Sequence, residues 1–214
     1  MINTVARLLV AVLVNVAFFG AVIYFSLRFR RSSMKDSLDI RAAGLWEPFT
    51  GDGFAFESLT YGVTQDFSAF EIGMIVRDCR DEQIGRVAIR TGARAPWVTI
   101  ESDGALYEVD ALPSFAARRC ILHPAGDAGK VLCTFSASFW GTFRFDVNGF
   151  GVIESRPVAR LRITPRFELT LDGRKIGVSQ HIGGLVNRGR LLILQADLAP
   201  PVRSFILAMQ ATRT

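Results

Sequence analysis

From Leu8 to Leu27 the chain reads LLVAVLVNVAFFGAVIYFSL, 20 residues without a formal charge. At 1.5 Å per residue such a helix reaches about 30 Å, the thickness of a bilayer's hydrocarbon core. A cleaved signal peptide has a shorter apolar stretch, about 7 to 15 residues, followed by a small-x-small site. Here Arg28-Phe29-Arg30-Arg31 follows instead. The pattern therefore predicts an uncleaved transmembrane anchor over residues 5–29, a basic juxtamembrane region and linker over 30–54, and a second domain over 55–214.

In that second domain the apolar period falls to two and Gly-containing turns recur, which predicts strands. Three hairpins can be written directly. Trp97–Glu101 and Ala105–Val109 flank Asp103-Gly104. Thr142–Val147 meets Phe150–Ile153 across Asn148-Gly149, with Phe143, Phe145 and Val147 on one face. Phe167, Leu169 and Leu171 lead to Asp172-Gly173, and Ile176-Gly177-Val178 returns. Asn-Gly and Asp-Gly suit two-residue turns whose central positions need positive φ. The fold class expected is mainly β.

Two further features refine it. Asp81–Val87 and Asp172–Val178 each place an Ile-Gly pair after an apolar strand and a polar turn, a weak internal echo. Near the end, Val202, Phe205, Ile206 and Met209 follow helical spacing after Pro200-Pro201, which suits a helix start. With Leu207 and Ala208 also apolar, this helix must be buried on several sides. At about 10 to 12 residues it is too short to span a bilayer, so it is expected inside or against the β structure.

These features, in order, resemble the tubby C-terminal-like superfamily, which includes tubby domains, phospholipid scramblases and plant LURP-one-related proteins. The resemblance is carried by the strand, turn and Ile-Gly hairpins (Phe70 to Val87, Phe167 to Val178), by Asn187-Arg188-Gly189-Arg190-Leu191-Leu192-Ile193-Leu194, and by the closing Pro201–Met209. It covers about residues 55 to 212. It implies a closed antiparallel barrel-like body around a hydrophobic C-terminal helix, and anionic phospholipid as a ligand class.

Charge changes the picture in two places. The chain has 25 Lys and Arg against 20 Asp and Glu, and a pI near 9.6. The whole excess lies in Arg7, Arg28, Arg30, Arg31 and Lys35, ahead of the first acidic residue, Asp36. Because the rest is neutral, a nucleic-acid partner is not expected. Arg28, Arg30, Arg31 and Lys35 follow the apolar span while only Arg7 precedes it, so the positive-inside rule puts the C-terminal domain in the cytoplasm. Three cysteines, an odd number, fit a reducing compartment. The neutral remainder is itself polarised. Residues 36–153 carry 10 basic and 16 acidic side chains and 154–214 carry 10 and 4, which fits two parts that pair.

Within the span, Asn15 lies near the middle, where an amide in hydrocarbon seeks a partner across a helix interface. Ala17, Gly20 and Ala21 offer a small-residue strip for close approach of another helix. Asn15, Ala17, Gly20 and Ala21 are thus the candidate helix–helix contacts. Arg160 and Arg162 should share one face of Val158–Thr164, with Arg156 and Arg166 near in sequence. Guanidinium groups suit phosphate recognition, and a solvated strand face is the plainer role. Together with the juxtamembrane Arg28, Arg30, Arg31 and Lys35, whose simplest role is topological, Arg160 and Arg162 are the candidate lipid-headgroup contacts.

No cofactor or metal is expected. Cys120-x-x-His123 with Cys133 supplies three ligand types but lacks a fourth and does not match finger spacing; Cys120 and Cys133 read as buried thiols. His123 and His181 have no nucleophile motif beside them, and no phosphate loop is present. The expectation is a non-catalytic, membrane-anchored binding or scaffold protein, an accessory subunit among other transmembrane chains in a lipid bilayer. The alternative is a tubby-like domain that binds anionic phospholipid at the membrane surface.

Overall fold

A computed structural model describes residues 15–16, 18–20, 53–67, 71–90, 98–112, 118–138, 141–158, 166–182 and 189–211. The chain divides into two units, Met1–Asp36 and Ser37–Thr214. In the first, Asn15, Val16 and Phe18 to Gly20 are helical and exposed, and the Phe18 and Phe19 rings meet edge to face at 6.1 Å. Most of the span predicted over 5–29 lies outside the described residues. Among those described, no helix is long and apolar enough to cross a membrane.

The second unit is built on a closed barrel of twelve antiparallel strands. They are β1 (Leu59–Phe67), β2 (Glu71–Asp78), β3 (Gln83–Arg90), β4 (Val98–Ser102), β5 (Ala105–Leu112), β6 (Arg118–Pro124), β7 (Cys133–Ala137), β8 (Phe143–Val147), β9 (Gly151–Pro157), β10 (Arg166–Leu171), β11 (Arg174–Ile182) and β12 (Gly189–Leu194). Each strand pairs with the one before it. β12 returns to β1 in the register Leu59↔Ile193 to Val63↔Gly189. An even number of strands lets this meander close with every neighbour antiparallel, and closure removes the sheet edges that would otherwise invite pairing with another chain.

The period-two pattern sets the two faces. On β8, Phe143, Phe145 and Val147 are buried inside while Arg144 and Asp146 face out. The turns at Asp103-Gly104 and Asp172-Gly173 have φ of 52° and 71°, and 50° and 79°. Both central residues are left-handed, as a primed two-residue turn requires. The Asn148-Gly149 connection differs from the two-residue turn expected. Val147 pairs with Gly151, so three residues form the loop. The Asn148 amide is committed elsewhere: its N–H donates to Leu132 O at 3.0 Å and its Nδ2 to Val131 O at 3.2 Å.

The helix α1 (Pro200–Ala211) buries nine of its twelve residues. Its N-terminus is tied by the Val202 N–H to Ala199 O at 2.9 Å. Phe205 meets the Phe135 ring of β7 at 6.4 Å and the Phe145 ring of β8 at 6.2 Å. Gln210 donates to Ser155 Oγ of β9 at 3.0 Å, while Ser204 faces Gly85 of β3. These strands lie on different sides of the ring, so α1 runs through the barrel interior. That is why it needs apolar residues around most of its circumference. Burying Val202, Phe205, Ile206, Leu207 and Met209 is worth about 2 kcal/mol each, or on the order of 10 kcal/mol as an upper bound. A domain's whole net stability is of that size, so the barrel and its helix form one folding unit.

The Ile-Gly echo marks one structural device used twice. In the β2–β3 hairpin Val76 pairs with Gly85 and Arg77 with Gln83, so Ile84 is the extra residue of a bulge. In the β10–β11 hairpin Leu169 pairs with Gly177 and Thr170 with Lys175, so Ile176 is the extra residue. Each following glycine faces a crowded interior. A Cβ on Gly85 would lie 2.7 Å from Ser204 Oγ, and one on Gly177 would lie 2.3 Å from Ile193 O.

A second apolar cluster lies outside the barrel. Leu59, Tyr61, Val63, Val178, Leu191 and Ile193 project outward from β1, β11 and β12, packed with Phe54 and Phe56. All six residues of β12 are therefore buried, which explains its continuous apolar run where other strands alternate.

Candidate functional site

Of the residues singled out in the sequence, Arg28, Arg30, Arg31, Lys35, Arg160 and Arg162 lie outside the described residues, as do Ala17 and Ala21. Asn15 and Gly20 are described, and a Cβ on Gly20 would meet nothing within 4 Å. Arg156, beside the expected arginine stripe, is exposed and places Nη2 2.5 Å from Glu154 Oε2. Arg90 with Glu71 and Lys175 with Glu168, both at 3.7 Å, join charges of the same part of the chain. Each of these three pairs joins residues within one part of the chain. Exposed pairs of this kind are worth about 0 to 1 kcal/mol.

Cys120 and Cys133 are both fully buried, facing inward with Leu122. Alternation on β6 turns His123 to the other face. There its Nε2 lies 3.1 Å from Asp110 Oδ2 and its Nδ1 3.0 Å from Pro124 O. The three residues therefore do not converge. Among the described residues no group of three His, Cys, Asp or Glu side chains is placed to hold a metal. Burial, aided by Asp146, pushes the Cys133 thiol far above its ordinary range.

The interior holds one polar group that the sequence patterns missed. Arg190 on β12 points inward between Gly62 of β1 and His181 of β11, its two register partners. It is 1% exposed. Its guanidinium carbon lies 5.5 Å from the centroid of the Phe167 ring. Its Nε and Nη1 have no hydrogen-bond partner among the described residues, and neither do Ser179 Oγ and His181 Nδ1. Ser179 and His181 share Arg190's face, two residues apart on the neighbouring strand, so all three side chains occupy one patch of inner wall.

Electrostatics there are one-sided. Burial draws Arg190 down from the ordinary arginine range to about 10. At 1.36 kcal/mol per pH unit, holding that charge at neutral pH costs about 3 kcal/mol. A desolvated cation over an aromatic face recovers about 2 kcal/mol or more of this, but it leaves the Nε and Nη1 donors without an acceptor among the described residues. Desolvation, then the Arg190 charge, lowers His181 as well, keeping its imidazole neutral at pH 7.

Arg203 shows how this chain satisfies a guanidinium when no charge is left over. Its Nε donates to Leu198 O at 2.9 Å, Nη2 to Ala196 O at 3.2 Å and Nη1 to Thr60 Oγ1 at 3.4 Å. His123 likewise has an acceptor at each ring nitrogen. Arg190, His181 and Ser179 stand apart from both. The signal available in sequence was one arginine inside Gly189–Leu194, an otherwise apolar strand. No protein-family model, no curated protein and no solved structure matches this chain.

Proposed function

We propose that the protein is a non-catalytic, membrane-anchored binding or scaffold subunit, tethered through residues 5–29 with its barrel domain in the cytoplasm, and that it works within a larger assembly of transmembrane chains. The observation that carries this reading is the filled barrel. With α1 seated inside, most of the interior is apolar core, and the large surface left for a protein partner is the outside of the barrel. Asn15 supports an assembly in the bilayer, because an amide there gains most from a partner helix. The experiment is purification of the full chain from its native membrane in mild detergent. Partner chains at fixed stoichiometry, weakened by Asn15→Leu, are expected; a chain that runs alone refutes the reading.

A second reading is a tubby-like domain that binds anionic phospholipid. What favours it is a closed antiparallel barrel around a hydrophobic C-terminal helix, the architecture that the resemblance implies. Vesicles with and without anionic lipid, and Arg160→Glu with Arg162→Glu, test it. Binding that ignores both kinds of change removes it.

A further inference from the structure

We propose that the barrel interior holds a single oxyanion, a phosphate or a carboxylate, between Arg190, His181 and Ser179. Three observations lead there. Arg190 is 1% exposed, and its Nε and Nη1 have no acceptor among the described residues. His181 sits directly opposite it across the β11–β12 pair and Ser179 diagonally. At strand spacing their Cβ atoms are about 5 Å and about 7 Å from that of Arg190. Each brings its own unpartnered polar atom, His181 Nδ1 and Ser179 Oγ. The patch therefore holds a cation and two short hydrogen-bonding groups, with no carboxylate paired to the cation among the described residues.

An oxyanion supplies what is missing. A guanidinium donates in parallel to two oxygens of a carboxylate or phosphate. A serine hydroxyl donates to a third acceptor site, and a neutral imidazole donates from whichever ring nitrogen carries its proton. Removing one member of a buried charge pair is strongly destabilising, so a bare Arg190 is the expensive state and an occupied one the stable state. The guanidinium lies over the Phe167 ring, and its Nε and Nη1 remain for the ligand. Gly62, opposite Arg190 on β1, adds no side chain to the space and instead admits the Met74 thioether, which a Cβ there would meet at 2.3 Å. Neither the anchor nor an outer-surface partner enters this inference, so it stands or falls apart from the proposed function.

The test uses the full chain in non-ionic detergent, prepared without phosphate or carboxylate buffers. The protein is denatured, and the released anions are counted by ion chromatography and the lipids by mass spectrometry. About one phosphate or carboxylate per wild-type chain is expected, and none from Arg190→Met. A free anion names a soluble ligand, and a stoichiometric lipid names a headgroup; either supports the site.

Wild-type protein refolded without anion should then gain about 5 °C or more in Tm with sodium phosphate, sodium acetate or short-chain phosphatidic acid at a hundredfold excess over Kd, and not with chloride. This second measurement needs no variant, so it decides the matter even if Arg190→Met fails to fold. No bound anion together with no shift overturns the proposal, as does an equal anion content in Arg190→Met.

Discussion

Gly85→Ala tests whether α1 lies inside the barrel, because Gly85 belongs to the wall and Ser204 to the helix. The added Cβ would sit 2.7 Å from Ser204 Oγ of α1 and 3.3 Å from the carbonyl oxygen of Glu101 on β4. The first distance is too short to hold. Ser204 is fully buried, so relief requires its hydroxyl to turn within a packed core or the helix or strand to move. Overpacking of this kind costs about 1 to 3 kcal/mol. Replacing glycine with alanine returns about 0.4 to 1 kcal/mol by restricting the unfolded chain. The net loss should be about 1 kcal/mol, with about 2.6 kcal/mol as the upper bound, or about 2 to 4 °C in Tm per kcal/mol for a domain of this size.

Ser204→Ala removes the obstructing oxygen, which is itself unpartnered among the described residues. That substitution alone should leave stability unchanged or raise it by about 1 kcal/mol. In its background Gly85→Ala should become close to neutral. The residual approach to Glu101 O is common to both backgrounds and cancels in the cycle. The assay is thermal and urea unfolding of the four proteins. If Gly85→Ala costs the same with Ser204 and with Ala at position 204, α1 does not pack against β3 and the interior helix is wrong.

The remaining predictions address other parts of the same core. Phe205→Ala, which removes the ring packed edge to face on both Phe135 and Phe145, should cost about 3 to 5 kcal/mol of unfolding free energy in urea titrations; a loss under about 1 kcal/mol would contradict its central placement. In native protein at pH 8, iodoacetamide should modify Cys79 first, because it is half-buried while Cys120 and Cys133 are fully buried. Peptide mass mapping reads that order, and early labelling of Cys133 contradicts it. Burial, then the hydrogen bond to Asp81, raises the Tyr61 hydroxyl above its ordinary value of 10. Above pH 10 the unfolded chain therefore loses a proton that the folded chain keeps, and stability falls as pH rises. Tyr61→Phe should flatten that fall in urea midpoints taken from pH 9 to 11; an unchanged slope refutes the assignment.

How legible each feature was follows from the range of the interactions behind it. The Asp103-Gly104 and Asp172-Gly173 turns were readable because their conformation depends on two adjacent residues and on positive φ. The Phe143, Phe145, Val147 face was readable because one strand's alternation decides which side is buried. The Ile-Gly echo was visible as a pattern, but its meaning was not. That meaning lies in the bulge at Ile84 and Ile176 and in crowding by Ser204 and Ile193 O, both contributed from elsewhere in the chain. The extra loop residue at Phe150 was missed because the Asn148 amide is taken by Leu132, a contact across strands.

The candidate interior site was the least legible. Arg190 looked like any charge in a short motif until the register set it opposite His181 and Gly62 with its face turned inward. Arg160 and Arg162 drew attention instead because they alternate within one short segment. Sequence reasoning favours such local regularity over a lone charge whose environment is made by three strands.

The proposed function is that of a tethered barrel that binds other membrane chains. Its most direct test is native mass spectrometry of the full chain extracted from its own membrane in mild detergent. A complex of fixed stoichiometry with at least one other transmembrane protein, reduced by Asn15→Leu, is expected. A chain that appears alone, with neither partner nor dependence on Asn15, would contradict it.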